Sequence, residues 1–344
     1  MPPATVEIRH TPEQAAEALR ADALTGLTSM PKWLPPKWFY DARGSELFED
    51  ITRLPEYYPA RAEREILAER APELATVTRP GALVELGSGS SVKTRLLLDA
   101  FSANGPPDGP TEGGTSVAPS GTPSGTLREF FPLDVSEQAL REAAHAIAET
   151  YPALRVHGVV DDFTSSLAVP DGSRPRLVAF LGGTIGNLLP DERAKFLTSL
   201  RDALDGGEWL LLGTDLVKDP DTLVRAYADS QGVTGEFNRN VLHVLNAELG
   251  ADFVPEAFTH RAVWDERQEW IEMRLRADRD MRVTLPGIGL EINFTEGEEM
   301  RTEVSTKFRR EHVASELATA GFELHSWWTD AAGRFALSLA RATP

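Results

Sequence analysis

A short apolar strand that ends on an acid and runs straight into a glycine turn constrains this chain more than any other stretch: Leu83-Val84-Glu85-Leu86-Gly87-Ser88-Gly89-Ser90-Ser91. Gly87 and Gly89 carry no Cβ, so the backbone there can take the dihedrals of a tight turn and approach a ligand closely. A helix is predicted over residues 94–101. That places the turn at the carboxyl end of a strand in a parallel α/β sheet, where such folds bind nucleotides. The nicotinamide spacing G-x-G-x-x-G is not met, because Val92 stands at its third glycine. Strand, acid and G-x-G without the third glycine suit S-adenosylmethionine better.

The rest of the chain supports an α/β reading. Strands are predicted at 82–86, 130–134, 155–160, 176–181 and 208–212, and helices at 64–71, 92–101, 137–151 and 191–204. The i, i+3, i+4, i+7 spacing of Leu140, Ala143, Ala144, Ile147, Ala148 and Tyr151 marks one buried face of the 137–151 helix. Alternation of this kind implies a parallel sheet covered by helices on both faces. The chain closes differently, with a helix over 310–320 and then apolar runs at 322–328 and 335–340 joined by a short turn. That is an antiparallel hairpin. The expected fold is therefore a Rossmann-like sheet of the class I methyltransferase type with a terminal antiparallel hairpin, because dehydrogenase domains continue in parallel.

Residues 61–217 and 308–344 form the predicted cofactor-binding domain. Residues 1–60 and 218–307 form a second, smaller substrate-binding domain, since 218–307 is too long for a connection. The 1–60 segment holds a helical stretch at 12–24 and an aromatic, proline-punctuated region with Trp33, Trp38, Phe39, Tyr40, Phe48, Tyr57 and Tyr58. Residues 102–126 contain six glycines and five prolines and almost nothing apolar. Such a stretch cannot bury enough surface to offset its ordering entropy and reads as a disordered loop insertion.

Several function classes are excluded. Lys plus Arg total 35 against 53 Asp plus Glu, and a net charge of −18 with no basic stripe disfavours nucleic acid and anionic membranes. Without cysteine there are no disulfides, zinc–thiolate sites or thiol nucleophiles. The seven histidines (10, 145, 157, 243, 260, 312 and 325) show no metal-ligand spacing, so no metal is expected. No secretory signal and no run of the ~20 apolar residues of a spanning helix is visible, so the expected setting is the cytoplasm.

Three strand ends carry the cofactor chemistry. Asp134 closes the second strand, where a carboxylate can accept from both ribose hydroxyls. Asp162-Phe163 closes the third, where the acid can take the adenine amino group and the ring can pack on the base. Glu85 and Lys93 can engage the methionine end. Each acid alone could simply cap the next helix. Together with the hairpin they point to an adenosyl cofactor.

The chain also resembles a known family, the histidine-specific Nα-methyltransferases of ergothioneine biosynthesis. The resemblance covers almost the whole sequence. It is densest in PPKWFYDARGSELFEDITRLPEYYPARAE (35–63), LVELGSGSSVKTRLLLDA (83–100), FLGGTIGNL (180–188), LLGTDLVKD (211–219), FNRNVL (237–242), GEEMRTEVSTKF (297–308) and WWTDAAGRFALSLA (327–340). It implies threefold methylation of the histidine α-amino group to hercynine, by a monomer. It also implies S-adenosylmethionine binding by Tyr40, Gly87, Lys93, Asp134, Asp162 and Phe163. The implied histidine site comprises Tyr57, Gly182, Asn187, Tyr227, Met273, Glu303 and Ser305, with Tyr57 and Asn187 holding the reacting amine. The 102–126 insertion, longer than the family's usual link, is the main departure and is expected to be inert.

The residues of that site have a physical reading of their own. Alternation in Glu303-Val304-Ser305-Thr306-Lys307 puts Glu303 and Ser305 on one strand face, roughly 6.5 Å apart. A carboxylate accepts from one imidazole N–H while a hydroxyl meets the other ring nitrogen. The same alternation also fits a solvated strand face. Asn187 can bind a carboxylate or an amine, or cap a helix. Two other functions stay open on the residues alone: a methyltransferase of this fold acting on another small amine or amino acid, and a non-catalytic adenosyl-binding scaffold.

Overall fold

The computed structural model describes residues 4–89, 91, 93–102, 126–163 and 167–344; the core of the 102–126 insertion lies outside them. In chain order the elements are β1 (Thr5–Ile8), α1 (Pro12–Thr28), α2 (Ala42–Arg53), α3 (Pro59–Thr78), β2 (Ala82–Leu86) and α4 (Thr94–Phe101). Next come β3 (Glu129–Asp134), α5 (Glu137–Thr150), β4 (Arg155–Val160), β5 (Arg176–Phe180), α6 (Pro190–Asp202) and β6 (Trp209–Asp215). The chain continues through α7 (Pro220–Tyr227), α8 (Val233–Leu249), β7 (Phe258–Asp265), β8 (Trp270–Ala277), β9 (Met281–Leu285) and β10 (Leu290–Phe294). It closes with β11 (Glu299–Thr306), α9 (Arg310–Thr319), β12 (Phe322–Thr329) and β13 (Phe335–Ala342).

The central sheet has eight strands in the order β1-β4-β3-β2-β5-β6-β13-β12. Its first six members run parallel; β13 is antiparallel to β6 and β12 to β13. Every residue of β2 is buried, as a strand covered on both faces must be. On one face β2 packs Leu83 against Ala62, Ile66 and Leu97; on the other, Ala82, Val84 and Leu86 join Phe180, Leu197 and Leu317. The chain leaves β2 toward β3 on one side and the sheet continues through β5 on the other. The crevice opens at that switch of direction.

A third core is built from residues between Leu19 and Tyr58 and between Leu223 and Met300. It packs α1, α2, α7 and α8 against the three-stranded sheet β11-β8-β7 and the β9–β10 hairpin. One expectation needs correction here. Residues 5–8, assigned from sequence to the substrate domain, form β1 and pair in parallel with β4 from Thr5↔His157 to Ile8↔Val160. They cover β4, which would otherwise be an open edge with unpaired backbone groups. Among the described residues, no helix is long and apolar enough to cross a membrane.

Candidate active site

The turn after β2 is fixed by backbone bonds to the neighbouring strand. The Gly87 and Ser88 N–H groups both donate to the Leu133 carbonyl, at 2.9 and 3.0 Å. Gly87 has φ +71° and Gly89 φ +48°, a region that favours glycine. Asp134, at the end of β3, accepts from the Gly89 N–H at 2.8 Å and the Ser136 N–H at 3.0 Å. Burial raises its carboxyl above the usual aspartate value, while those backbone donors work the other way. Phe163 packs edge-on against Phe180 and is the nearest side chain to the Cβ position of Gly87.

Asp162 is buried and pairs with Lys37 at 3.0 Å. Lys37 also reaches Asp22 at 3.2 Å. Burial opposes the Lys37 charge, but the two carboxylates hold its ammonium above the usual lysine value. Glu85 lies beneath the turn, accepts from the Thr94 hydroxyl and is pushed up to about 8 by burial. Among the described residues, its second oxygen, Oε2, has no partner, and neither do the buried hydroxyls of Ser88 and Ser91. Unsatisfied buried polar atoms around a glycine turn fit a polar ligand that would complete them. Lys93 pairs with Glu63, which is fully buried and also accepts the Gly182 N–H at 2.7 Å.

The second half of the site stands on β11 and β8. Glu303 lies opposite Met273 and Ser305 opposite Ile271. Glu303 and Ser305 are 9% and 5% exposed, which rules out the solvated-face alternative. Burial pushes the Glu303 carboxyl up to about 7, with Lys307 and a hydrogen bond from Asn187 pulling it down. Asn187 ends the 3₁₀ turn Thr184–Asn187 after β5, and its amide donates to the Val304 carbonyl at 2.7 Å. Tyr227 closes α7, and its hydroxyl is 2.7 Å from Ser305 Oγ. The Tyr57 ring meets Tyr227 edge-on at 6.3 Å, and Tyr40 meets Phe48 at 5.7 Å. Burial is the first cause that holds the phenols of Tyr40, Tyr57 and Tyr227 well above their usual range.

All thirteen site residues expected from the sequence come together. Tyr40, Tyr57, Gly87, Lys93, Asp134, Asp162, Phe163, Gly182, Asn187 and Glu303 line a cavity of about 1860 Å³. Tyr227, Met273 and Ser305 line a small adjoining cavity of about 50 Å³, whose wall shares Tyr40, Tyr57, Gly182, Asn187 and Glu303 with the first.

Sequence reasoning missed the charges that partner these residues. Lys37, itself in the wall of the larger cavity, pairs with Asp162, and Glu63 pairs with Lys93. Asp215, at the end of β6, accepts from the Tyr58 hydroxyl at 2.9 and 2.8 Å and pairs with Lys218 at 2.6 Å and Lys307 at 3.0 Å. Burial opposes the Asp215 charge, but Lys307 and Lys218 hold its carboxyl below the usual value. Only Lys307 left a readable signal, through its place on the Glu303 and Ser305 face. Among the described residues, no cluster of His, Asp or Glu could hold a metal ion.

The strand order, the closing antiparallel hairpin and the acids at consecutive parallel strand ends define a class I S-adenosylmethionine-dependent methyltransferase fold. Residues 19–342 match the profile of the histidine-specific, S-adenosylmethionine-dependent methyltransferases, and the chain belongs to that family. It is 52% identical over 329 residues to the histidine N-alpha-methyltransferase of Mycolicibacterium smegmatis, covering 95% of this chain and 96% of that one. The Mycobacterium tuberculosis protein of the same name is 52% identical over 333 residues, with 96% and 97% covered. Ergothioneine biosynthesis protein 1 of Neurospora crassa is 30% identical over 91% of this chain, which spans 34% of that longer protein.

Proposed function

We propose that this protein transfers three methyl groups from S-adenosylmethionine to the α-amino group of L-histidine, giving hercynine for ergothioneine biosynthesis. The observation that carries the reading is the junction of the two cavities. The adenosyl-type acids lie in the larger one and Glu303 and Ser305 at the smaller. Tyr57, Gly182 and Asn187 stand in the wall common to both. The relatives named histidine N-alpha-methyltransferase support the same substrate.

In this reading Asp134 accepts from the ribose hydroxyls, Asp162 takes the adenine amino group, and Phe163 packs on the base. Lys93 and the turn at Gly87 hold the methionine end, and Tyr40 closes the crevice. When bound, S-adenosylmethionine supplies a methyl already activated by its sulfonium. The chain therefore contributes position and desolvation rather than a strong nucleophile.

Glu303 accepts one imidazole N–H, and Ser305 with Tyr227 meets the other ring nitrogen. Met273 packs against the ring. Tyr57 and Asn187 orient the α-amine, while Gly182 lets the backbone come close. The Tyr57 phenol keeps its proton, because burial first and the nearby Tyr227 and Glu303 next hold its pKa high. It can accept an amine N–H through its oxygen but cannot serve as the base. The α-amine must lose its proton to present a lone pair, so transfer is favoured as pH rises into the alkaline range. The aromatic wall of Tyr40, Phe48 and Tyr57 suits a head group that ends as a quaternary ammonium. The site is complete within one chain, which supports a monomer, and both small-molecule substrates fit a cytoplasmic enzyme.

The test is incubation with S-adenosylmethionine and each amino acid in turn, with products read by mass. Histidine gaining methyl groups while leucine and phenylalanine gain none is the expected result. Turnover of another amino acid in its place would overturn the reading.

A further inference from the structure

Lys307 is fully buried, and its ammonium has three donors. All three are engaged: Tyr227 Oη at 2.9 Å, Ser305 Oγ at 2.8 Å and Asp215 Oδ2 at 3.0 Å. Tyr227 and Ser305 between them carry two hydroxyl protons. Their oxygens are 2.7 Å apart, so one hydroxyl donates to the other and consumes one proton. Lys307 carries no acceptor, so neither hydroxyl can turn its proton toward it. The second proton has no acceptor among the hydrogen-bond partners of the described residues. Both side chains line the small cavity, so that proton is left to donate into it.

We infer that Lys307, anchored by Asp215, is a positioning residue that makes the Tyr227–Ser305 pair a hydrogen-bond donor toward the substrate ring. This rests on the histidine reading above. Its consequence is a chosen tautomer. The ring nitrogen beside Ser305 and Tyr227 must present its lone pair, and the nitrogen beside Glu303 must carry the hydrogen. A neutral imidazole offers one donor and one acceptor nitrogen, so the two walls are complementary to it in one orientation only. With Lys307 gone, either hydroxyl could turn its proton into the space the ammonium vacates and present a lone pair to the ring.

The Asp215 carboxylate keeps Lys218 and the Tyr58 hydroxyl when Lys307 is removed, so Lys307→Met leaves it partnered. The expected result for Lys307→Met is a rise of about tenfold in the KM for histidine, with kcat and S-adenosylmethionine affinity close to wild type. In a Tyr227→Phe/Ser305→Ala background there is no hydroxyl to direct. There the same substitution should change the histidine KM by no more than about twofold, since coupled residues lose additivity. An equal factor in both backgrounds would overturn the inference and leave Lys307 a structural ion pair. Where Lys307→Met does not fold, Lys307→Met/Asp215→Asn removes both charges together and is read in the same two backgrounds. A wild-type enzyme that ignores histidine would instead sink the substrate reading, so the two failures are distinguishable.

Discussion

The carboxyls of half-buried Asp134 and buried Glu303 both have pKa values raised by desolvation, yet they are held in different ways. Asp134 is gripped by the backbone N–H of Gly89, in the turn it faces, and by that of Ser136, two residues on in its own segment. Its side chain is therefore oriented before any ligand arrives. Asp134→Ala should weaken S-adenosylmethionine binding by about 1.5–3 kcal/mol, more than tenfold, through loss of a charged acceptor. Calorimetric titration checks this, and an unchanged affinity would move the ribose contact elsewhere. Glu303 sits at about 7 because burial penalises its charge, with Lys307 and Asn187 opposing. As pH falls through that value the carboxylate gains a proton and loses its acceptor role toward an imidazole N–H. The substrate's amine and ring titrate in the same range, so the comparison must be with Glu303→Gln, which keeps an acceptor that does not titrate. The ratio of wild-type to Glu303→Gln kcat/KM should rise about tenfold from pH 6 to pH 8, as expected for one group of pKa near 7. A flat ratio would show that Glu303 does not titrate in the free enzyme.

At the scale of elements, the parallel strands were legible because strands buried on both faces read as short apolar runs closed by an acid or glycine. β2 and β4 fall at the residues expected, and α5 differs only at its last residue. β6 runs on past Leu212 to Asp215, because Gly213 and Thr214 hide within the strand as small residues rather than ending it. That extension has a purpose in the geometry. A Cβ at Gly213 would collide with Glu63 Oε1, the carboxylate that holds both Lys93 and the Gly182 N–H. Gly213→Ala should therefore push Glu63 aside and lower S-adenosylmethionine affinity about tenfold, the scale of one charge-assisted contact. Titration calorimetry measures it, and an unaltered affinity would mean that Glu63 has no part in placing Lys93. Nothing local in the sequence around Glu63 or Asp215 signals these roles. Each gains its partners from elements far away in the chain.

For the whole molecule, the sequence disclosed seven of the eight strands of the sheet, its hairpin, and a set of residues that come together around the two cavities, while the architecture of 218–307 stayed closed to it. The reason is physical. β7 is mostly half-buried or exposed, so its apolar periodicity is weak; β9 and β10 do alternate, but at five residues each they carry no local sign of which sheet or core they join. Their core is completed by α1 and α2, more than a hundred residues earlier in the chain. β1 was missed for the same reason, since four residues join the sheet by backbone bonds to β4 rather than by a pattern of their own. Glu303 and Ser305 were singled out only through the family resemblance; their alternation alone fits a solvated strand face better. The proposed function requires a pocket that holds a histidine ring at one end and admits a growing ammonium at the other. Its most direct test is the stoichiometry of the complete reaction: S-adenosylmethionine consumed per histidine, with product masses followed to completion. The expected result is about three equivalents consumed and a trimethylated product whose methyls all lie on the α-nitrogen. Product that stops at one methyl, or methyls found on the imidazole ring, would contradict it.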